Sequence, residues 1–567
     1  MTMEEQIYKY ALQNAIKFDG VANPKALVGR IMGEFPESRA DAKGTMALIE
    51  KVVAKVNKLG LEKQQAEFEA KAPELIDEKK RERRVGLKPL KNAEKGKVIM
   101  RLAPSPSGPG HIGHAIAASL NSEYCRTYNG RFILRIEDTN SDKIFPGAYE
   151  MLPDELNWLT KDNVFKTIIQ SERLGLYYDV AEKLINKGHA YVCTCEASKF
   201  KELKDQMKAC PCRKISVEEN IKRYNNMFIN YKPGDAVMRL KTDIKDKNPA
   251  MRDFPIMRIN DSVHPLTGKK HKVWPLMNLS VAVDDHDMGL THILRGKDHM
   301  DNEKRQRIIF EYMEWTPFPE TSYIGRINFE DLRVSASKTK ALIEEGVYSG
   351  WDDIRLPFLA AFKRRGLQPD AFIKYALVMG VTEHDKSVTQ EEFFKTLYAF
   401  NKDVIDKDAN RYFFVDEPKK ILIDKAPDKE VELLVHPDFP KRGKRRLIAS
   451  KEVYITSEDY DAIESGKIYR LIDAINFIKK GNRFVYHSES YAEFRQSPGG
   501  KIIHWLPACD DLVNVEVLMD DGTLRVGLGE SKIGKLMVDN IVQLERFGFA
   551  RCDSVSKEKI VFWYAHR

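Results

Sequence analysis

The sequence predicts a multidomain protein in which a mixed α/β region is followed by an all-β region. Its 567 residues suffice for roughly three to five domains. From Lys97 a short strand, a turn rich in proline and glycine and a helix follow one another, which is an α/β pattern. From Tyr412 many short strands are separated by Pro/Gly turns, which is typical of β-barrels or a sandwich.

The composition is that of an ordinary globular protein with a weak basic excess. Hydrophobic residues make up 43%, and 92 Lys and Arg face 84 Asp and Glu, for a net charge of +8. Such a charge permits a nucleic-acid partner but does not demand one. We find no apolar run long enough to span a bilayer, and the polar N-terminus is unlike a signal peptide. Seven cysteines without a disulfide pattern favour a reducing compartment, so we expect a cytoplasmic protein without a membrane partner.

The first 95 residues differ from the rest. Ile7, Tyr10, Ala11 and Ala15 recur at helical spacing, and residues 45–56 form a second helical segment. Residues 62–95 are dense in Lys, Glu and Arg, including the basic run 79–84, and predict an exposed helix or linker. A solvated face is the commoner interpretation of such a run, and a contact to nucleic acid or to another protein is the alternative.

The turn after the first α/β strand has the chemistry of an anion site. Three prolines and three glycines lie within residues 104–113, and a helix follows from Ala115. Backbone N–H groups at a helix start attract anions, so His111 and His114 would face the phosphates of a nucleotide. The alternative is a surface turn with two solvated histidines.

Two further strand ends should meet the same crevice. Residues 131–138 form a buried strand ending in Glu137 and Asp138, and residues 292–295 end in Arg295. In open α/β sheets ligands bind beyond the carboxyl ends of strands. The small, basic segment 332–340 would be a mobile loop that closes lysines over a triphosphate. Taken singly, each is equally a solvated strand end or loop.

Two C-x-C pairs suggest a metal site in an insertion. Cys193 and Cys195 are followed about fourteen residues later by Cys210 and Cys212. Four thiolates suit a structural zinc ion, although the spacing within each pair is tighter than usual. The alternative is four reduced cysteines in a loop.

These motifs resemble class I aminoacyl-tRNA synthetases. Residues 104–114 are similar to the HIGH signature of that class, and residues 283–286 and 295–299 resemble the glutamyl-tRNA synthetase pattern. Residues 350–357 resemble the glutamyl/glutaminyl subgroup, and the β-rich C-terminus is similar to its archaeal and eukaryotic branch. The resemblance spans about residues 96–567, and the part before it looks like the extension of archaeal glutamyl enzymes.

The resemblance implies a domain order around a HIGH-type Rossmann catalytic domain. The implied parts are an N-terminal helical extension and charged linker (1–95), the first catalytic half (96–190), an acceptor-end-binding insertion (191–275), the second catalytic half with a KMSKS-like loop (276–340), a helical stem-contact region (341–411) and anticodon-binding β-barrels (412–567).

The same resemblance implies ATP-dependent attachment of L-glutamate to tRNA(Glu) through a glutamyl-adenylate. The cofactors expected for this reaction are ATP and Mg²⁺, and the cysteine spacing adds a structural Zn²⁺. It assigns catalysis to His111, His114 and Lys338, and ATP binding to these and to Pro104, Ser105, Gly108, Gly110 and Gly113. It assigns glutamate to Arg101, Ala103, Ser105, Glu137 and Arg295. The spacing of the cysteines assigns a zinc ion to Cys193, Cys195, Cys210 and Cys212. The charge pattern makes two basic clusters candidates for binding tRNA: Lys363, Arg364, Arg365 and Lys441, Arg442, Lys444, Arg445, Arg446.

Arg295 favours glutamate over glutamine, since a buried guanidinium would be left unpaired by an amide, and glutaminyl enzymes lack an arginine there. Two positions depart from the family pattern. Met277 stands where a tyrosine is usual, and Ala336 stands where the loop often has a lysine, so that Lys338 or Lys340 must substitute.

Three alternatives stay open. The first is a glutaminyl enzyme, or one that charges both tRNA(Glu) and tRNA(Gln) with glutamate. The second is a small-molecule nucleotidyltransferase with a similar turn, which would not need the basic helical region or the barrels. The third is a non-catalytic RNA-binding protein, which the intact His111, His114, Glu137 and Arg295 disfavour.

Overall fold

The computed structural model describes residues 2–18, 20–72, 86–330, 335–497 and 499–567. The chain divides into two compact units, Met1–Val85 and Gly86–Arg567. The basic run 79–84 lies outside the described residues. Among the described helices, none combines the length and apolar character that crossing a membrane requires.

The N-terminal unit is helical, as its apolar periodicity predicts. Its helices are α1 (Met3–Lys17), α2 (Pro24–Glu34), α3 (Ala42–Asn57) and α4 (Leu61–Lys71). Thr2 caps α1 in a reciprocal arrangement with Glu5, which satisfies two backbone N–H groups at the helix start. Ile7 and Ala11 are buried in one core with Val53 of α3.

The second unit begins with a parallel sheet flanked by helices. Its first elements are β1 (Ile99–Leu102), α5 (Ile112–Thr127), β2 (Arg131–Ile136), α6 (Ala148–Thr160), β3 (Val164–Ile169) and α7 (Leu174–Asn186). The strands β1, β2 and β3 pair in parallel in that order, with Ile99 opposite Arg131. The turn between β1 and α5 therefore opens at the carboxyl edge of the sheet, where ligands bind in such folds.

An insertion with its own antiparallel sheet follows. It comprises β4 (Ala190–Cys193), α8 (Ala197–Asp205), α9 (Val217–Ile229), β5 (Val237–Leu240), β6 (Pro255–Ile259) and β7 (Val273–Pro275). The four strands pair in chain order. They share one apolar core with α7 and the helix after β7, so the insertion is joined firmly to the α/β region.

The α/β pattern then resumes on the other side of β1. The elements are α10 (Met277–Asp287), β8 (His292–Gly296), α11 (Met300–Met313), β9 (Glu320–Ile324), β10 (Ile327–Phe329) and α12 (Ala336–Glu344). β8 and β9 are parallel, and the N–H of Thr291, just before β8, donates to the carbonyl of Ile99 in β1. The order of strands thus reverses between β1 and β8, which is where such sheets form a ligand crevice.

The segment predicted as a mobile loop at 332–340 is helical over its described part. Residues 331–334 lie outside the described residues, whereas α12 begins at Ala336. The loop prediction is therefore wrong for residues 336–340. Ala336, Lys338 and Lys340 are compatible with a helix, which their small, polar and basic character concealed.

A short helical region connects the α/β part to the C-terminal sheets. It contains α13 (Leu359–Arg365), α14 (Pro369–Met379), β11 (Lys386–Val388) and α15 (Gln390–Ile405). Phe372 of α14 and Phe393 of α15 belong to the same core as β1, β2 and α5. The helical region is consequently packed directly on the α/β sheet.

The C-terminal part is rich in β-structure, as predicted. Its elements are β12 (Asn410–Tyr412), β13 (Phe414–Asp416), β14 (Pro418–Asp424), β15 (Lys429–Leu434), β16 (Lys444–Ala449), β17 (Glu452–Thr456), α16 (Ser457–Asp461), β18 (Ile468–Leu471), β19 (Asn476–Lys480), β20 (Arg483–Ser488), α17 (Tyr491–Gln496), β21 (Ile502–Ile503), β22 (Leu506–Pro507), β23 (Val513–Leu518), β24 (Leu524–Gly529), β25 (Ile541–Leu544), β26 (Gly548–Val555) and β27 (Ile560–His566).

These strands form two barrel-like sheets with separate cores. One sheet has the order β12-β25-β26-β27-β23-β24-β13, and the other has the order β21-β18-β19-β20-β14-β17-β22. β15 and β16 form a hairpin beside them. Trp505 is fully buried in one core and Phe562 in the other.

Candidate active site

The predicted anion-binding turn is a precisely capped helix start. His111 is the N-cap of α5, and its Nδ1 accepts the N–H of Gly113 at 3.0 Å. Nδ1 of His114 accepts the N–H of His111 at 3.4 Å. The two rings are stacked with their centroids 3.9 Å apart. Both imidazoles therefore help to satisfy the N–H groups at the helix start, which otherwise lack partners.

The same hydrogen bonds define where the imidazole protons lie. Because Nδ1 accepts in both rings, the neutral form of each carries its proton on Nε2. Burial lowers the pKa of His111 to about 4. Burial, with the neighbouring His111, places the pKa of His114 well below its usual range. At neutral pH the pair therefore presents two uncharged N–H donors.

The glycines of the turn lie where other atoms leave no room for a side chain. A Cβ on Gly110 would lie 2.7 Å from Cδ1 of Leu359, and a Cβ on Gly108 would lie 2.9 Å from Cβ of Ala336. Pro104 is buried and its carbonyl accepts the N–H of Glu137 at 3.0 Å, which joins the turn to the end of β2. Because Ala336 abuts Gly108, the first turn of α12 lies directly against the anion-binding turn.

The two candidate lysines of α12 differ in their surroundings. Lys338 is exposed and forms no ion pair with a described residue. Nζ of Lys340 is 3.7 Å from Glu344 in the same helix. Of the two lysines, Lys338 lies two residues from Ala336, which packs against Gly108 of the turn at the position where a lysine is often found.

Three buried arginines surround one carboxylate at the carboxyl edge of the sheet. Asp285 of α10 lies 2.5 Å from Nη1 of Arg135, 3.4 Å from Nε of Arg101 and 3.8 Å from Nη2 of Arg295. Nη1 of Arg295 donates to Oε1 of Gln306 at 2.9 Å. The predicted residues Arg101 and Arg295 are therefore neighbours. Arg135, Asp285 and Gln306 were not predicted as site residues. Arg135 lies in the strand predicted over residues 131–138, and Asp285 lies in the family-like segment 283–286.

The arginine cluster is short of negative charge at Arg295. Burial, reinforced by Arg101, lowers the pKa of the Arg295 guanidinium to about 10. Asp285 compensates Arg135 instead: although burial opposes ionisation, Arg101 and Arg135 hold the pKa of the Asp285 carboxyl below its usual range. A buried guanidinium with incomplete compensation favours a ligand that brings a carboxylate.

Glu137 and Asp138, adjacent in the sequence, face different surroundings. Oε1 of Glu137 accepts from Nη2 of Arg135 at 2.9 Å, and the side chain is partly open to the crevice. Asp138 is fully buried and accepts hydrogen bonds from the N–H and hydroxyl of Ser171 and from Tyr149. The expectation that Asp138 faces the crevice is wrong, because successive side chains of an extended strand end point to opposite faces.

The four cysteines of the insertion form one cluster. Their Sγ atoms all lie within 4.8 Å of one another, with 3.9 Å between Cys193 and Cys210 and 3.7 Å between Cys195 and Cys212. Tetrahedral zinc with Zn–S bonds of about 2.3 Å would place its sulfurs about 3.8 Å apart. Hydrogen bonds, first from the Cys193 thiol, lower the pKa of Cys210 to about 5. Arg223 donates to Sγ of Cys212 at 3.4 Å. The cluster thus fits a divalent zinc ion.

Two members of the predicted tRNA-binding clusters are buried in the fold. Arg365 is 3% exposed and donates to the carbonyls of Tyr564 and Ala565 in β27. Arg445 is 1% exposed and is paired with Glu530 and Glu545. Neither guanidinium is open to a phosphate, so the prediction that these two bind tRNA is wrong. Both guanidiniums serve the interior of the protein: Arg365 donates to buried carbonyls and Arg445 pairs with carboxylates, and buried acceptors of both kinds require donors.

The other basic residues of these clusters lie at the surface, with different partners. Arg364 forms a bidentate pair with Asp553 and a further bond to Asp352, and Lys363 pairs with Asp154. Arg442 donates to the carbonyls of Lys407 and Asp408. The exposed side chains that remain are Lys441, Lys444 and Arg446, the last two beside Glu432.

Comparison with known proteins matches three consecutive parts of the chain. Residues 97–407 match the family of class I tRNA synthetases (E and Q), catalytic domain. Residues 409–489 and 502–553 match two anticodon-binding domains of the same class. The first match contains the histidine turn and the arginine cluster, and the other two cover most of the two C-terminal sheets.

Curated relatives match the whole chain. The glutamate–tRNA ligases of Methanocaldococcus jannaschii and Methanobrevibacter smithii are each 44% identical over 569 residues, which covers 100% of this chain and 100% of each relative. A solved glutamate tRNA ligase from Elizabethkingia meningosepticum shares 19% identity over 55% of this chain and 70% of its own, with a TM-score of 0.38. The family matches and full-length relatives show that the chain belongs to the class I aminoacyl-tRNA synthetases of the glutamate and glutamine group.

Proposed function

We propose that this protein attaches L-glutamate to the 3′ end of tRNA(Glu) in two steps that use ATP. The carboxylate of glutamate attacks the α-phosphate of ATP, which forms glutamyl-adenylate and releases pyrophosphate. A hydroxyl of the terminal ribose of the tRNA then takes the glutamyl group and releases AMP. The observation that carries the proposal is the buried, undercompensated Arg295, which shares Asp285 with Arg101 of β1, the strand just before the turn that bears the paired histidines.

Arg295 is proposed to select the substrate by charge. Its guanidinium can accept the side-chain carboxylate of glutamate in a bidentate pair. Glutamine would leave the same buried cation without an anion, and such a loss is costly in a desolvated site. Arg101, Glu137, Ser105 and Ala103 are proposed to contact the α-amino and α-carboxyl groups. Arg101 and Glu137 belong to the arginine cluster, and Ala103 and Ser105 follow Arg101 closely in the chain.

The histidine turn is proposed to hold ATP. His111 and His114 donate from Nε2 to phosphate oxygens as charge develops. Because both imidazoles are neutral, the site does not have to desolvate two charged imidazolium groups. Pro104, Ser105 and the glycines at 108, 110 and 113 let the backbone approach the nucleotide. Lys338 at the start of α12 neutralises the departing pyrophosphate. ATP enters as its Mg²⁺ complex, in which the ion spreads the phosphate charge.

The C-terminal sheets are proposed to bind the anticodon arm. The domain matches support this assignment, and the exposed Lys441, Lys444 and Arg446 offer cations for the phosphate backbone. The helical region, with Lys363, is proposed to contact the stem. The N-terminal unit is proposed to contact tRNA or another protein.

We further propose that the insertion binds the acceptor end and is stabilised by Zn²⁺ on Cys193, Cys195, Cys210 and Cys212. The ion would hold the β4 end and the segment before α9 together. Because metal-binding thiols must stay reduced, we propose that the protein acts in the cytoplasm.

The test is pyrophosphate exchange with tRNA(Glu) present throughout. We expect exchange that depends on glutamate and is at least about 100-fold weaker in kcat/KM with glutamine, as expected for a site that discriminates by a buried charge. Equal exchange with glutamine would contradict the role of Arg295, and no exchange with either amino acid would contradict the proposed reaction.

A further inference from the structure

Glu155 on α6 lies behind the histidine turn and is not part of the activation chemistry proposed above. The residue is 3% exposed, and its Oε2 accepts the N–H of Gly110 at 2.6 Å. Nearby charges are the exposed Asp154 of the same helix and Lys363 of α13, which pair with each other at 3.0 Å. The carboxyl of Glu155 thus has backbone N–H groups, that of Gly110 first and that of Ala360 in α13 second, and not a cation, as its close partners.

Gly110 is held from two sides. Its N–H donates to Glu155, and its carbonyl accepts the N–H of Leu359 at the start of α13 at 2.8 Å. A Cβ at this position would lie 2.7 Å from Cδ1 of Leu359 and 3.0 Å from Oε2 of Glu155. The next residue, His111, forms a β-bridge with Phe358. The backbone before the helix is therefore clamped between α6 and α13.

The clamp determines where the imidazoles stand. His111 follows Gly110 directly, its ring caps α5, and its N–H is the donor to Nδ1 of His114. A displacement at Gly110 would therefore be transmitted to both rings, and a misplacement of about 1 Å can cost about 100-fold in rate. On this basis we propose that Glu155 is a positioning residue for ATP: it fixes the turn that places His111 and His114, and it does not touch the substrate. This inference depends on the proposed role of the turn in binding ATP.

The acceptor, and not the negative charge, is the property that matters. Burial raises the pKa of the Glu155 carboxyl to about 8, opposed by the N–H of Gly110. The carboxyl is therefore mostly neutral at pH 7, and its oxygen still accepts the hydrogen bond. An amide of the same shape should do the same, whereas an aliphatic side chain of similar size should not.

The experiment compares Glu155→Gln, Glu155→Leu and Gly110→Ala in pyrophosphate exchange with tRNA(Glu). We expect Glu155→Leu and Gly110→Ala to raise the KM for ATP about tenfold or more, with the KM for glutamate changed less than about threefold. Glu155→Gln should retain both constants within about threefold. Glu150→Leu, the same change at an exposed position of the same helix, is the control and should behave as the unmodified protein.

Unchanged ATP kinetics in Glu155→Leu, or an equal defect in Glu155→Gln, would overturn the proposal. If Glu155→Leu does not fold, Gly110→Ala tests the same contact by displacing Gly110 instead of Glu155. A normal KM for ATP in Gly110→Ala would also overturn the proposal. Titration calorimetry with ATP separates this result from failure of the proposed function, because it compares nucleotide binding even if no amino acid is activated.

Discussion

At the scale of single residues, the site depends on which groups remain uncharged and which remain unpaired. The two histidines of the turn, which are half-buried, are neutral because desolvation lowers the pKa of both imidazoles, and Arg295 stays charged although burial lowers its pKa to about 10. Neutral donors for an anionic nucleotide and one undercompensated cation for a carboxylate are complementary to the two reactants of amino-acid activation.

Removing the cation should therefore abolish glutamate recognition selectively. We expect Arg295→Ala to raise the KM for glutamate about 100-fold or more, since losing one partner of a buried charge pair costs about 2–5 kcal/mol, while the KM for ATP changes little. Arg326→Ala, which removes an arginine that is 67% exposed, is the matched control. Steady-state pyrophosphate exchange measures both constants. An unaltered KM for glutamate in Arg295→Ala would show that Arg295 does not bind the substrate.

The depressed histidine pKa has a consequence for stability. An imidazole that ionises near pH 4 when folded and near 6.5 when unfolded favours folding above pH 6.5, and this contribution declines as the pH falls towards 4. His111→Asn keeps a cap acceptor but does not titrate. Between pH 7 and 5 we therefore expect its free energy of unfolding to fall by about 2 kcal/mol less than that of the unmodified protein. Urea denaturation at both pH values measures this difference, and an equal loss would show that His111 is not buried in the neutral form.

At the scale of elements, the insertion has a sulfur cluster in addition to the apolar core that its strands share with α7 and α10. The segments bearing Cys193 and Cys210 meet there with Tyr191 and Phe200. We expect purified protein to contain about one zinc ion per chain and Cys210→Ser to contain much less, because three thiolates bind more weakly than four. Cys509→Ser, which alters an exposed cysteine outside the cluster, should keep its zinc. Elemental analysis measures the zinc content of the three proteins. Unmodified protein that contains no metal would show that the four cysteines do not form a zinc site.

Arg365 connects α13 to the last strand rather than to tRNA. We expect Arg365→Ala to destabilise the protein by about 3 kcal/mol, because it leaves buried carbonyls without donors. Lys363→Ala, two residues earlier and at the surface, should change stability by less than about 0.5 kcal/mol. Thermal denaturation of the two variants provides the comparison. A normal melting temperature for Arg365→Ala together with weakened tRNA binding would restore the original prediction.

The elements also show what sequence reasoning can and cannot reach. The β1–turn–α5 unit was predictable because Pro, Gly and His at fixed positions leave few backbone solutions. The cysteine cluster was predictable because paired thiols have few uses in a reduced protein. The burial of Arg365 and Arg445 was not predictable, since the sequence of a basic run does not show which of its side chains face solvent and which face buried carbonyls. Glu155 gave no signal, because a single acid in an amphipathic helix is ordinary until its partner is known.

At the scale of the whole molecule, the chain joins the α/β part that holds the candidate site to two seven-stranded β-sheets. The family matches cover the α/β part and the two sheets in that order. Their order along the chain was visible in the sequence as a change from helical and α/β periodicity to short alternating strands. The sequence did not show which basic residues are exposed and therefore able to contact a polyanion; the structure shows this.

Three of those exposed residues should govern the salt dependence of tRNA binding. Replacing Lys441, Lys444 and Arg446 with glutamine should reduce the slope of log Kd against log salt by about 2, because fewer counterions are released. The charge-preserving swap Lys441→Arg, Lys444→Arg and Arg446→Lys should leave the slope unchanged. An unaltered slope after the three residues are neutralised would show that they do not contact tRNA.

The role of Arg295 is tested most directly by aminoacylation with glutamate and with glutamine, each offered with purified tRNA(Glu) and purified tRNA(Gln). We expect charging of tRNA(Glu) with glutamate and no comparable charging of either tRNA with glutamine, because Arg295 needs a carboxylate. Glutamate on tRNA(Gln) would broaden the tRNA partners and leave the amino-acid site as proposed. Efficient transfer of glutamine to either tRNA would contradict the central claim.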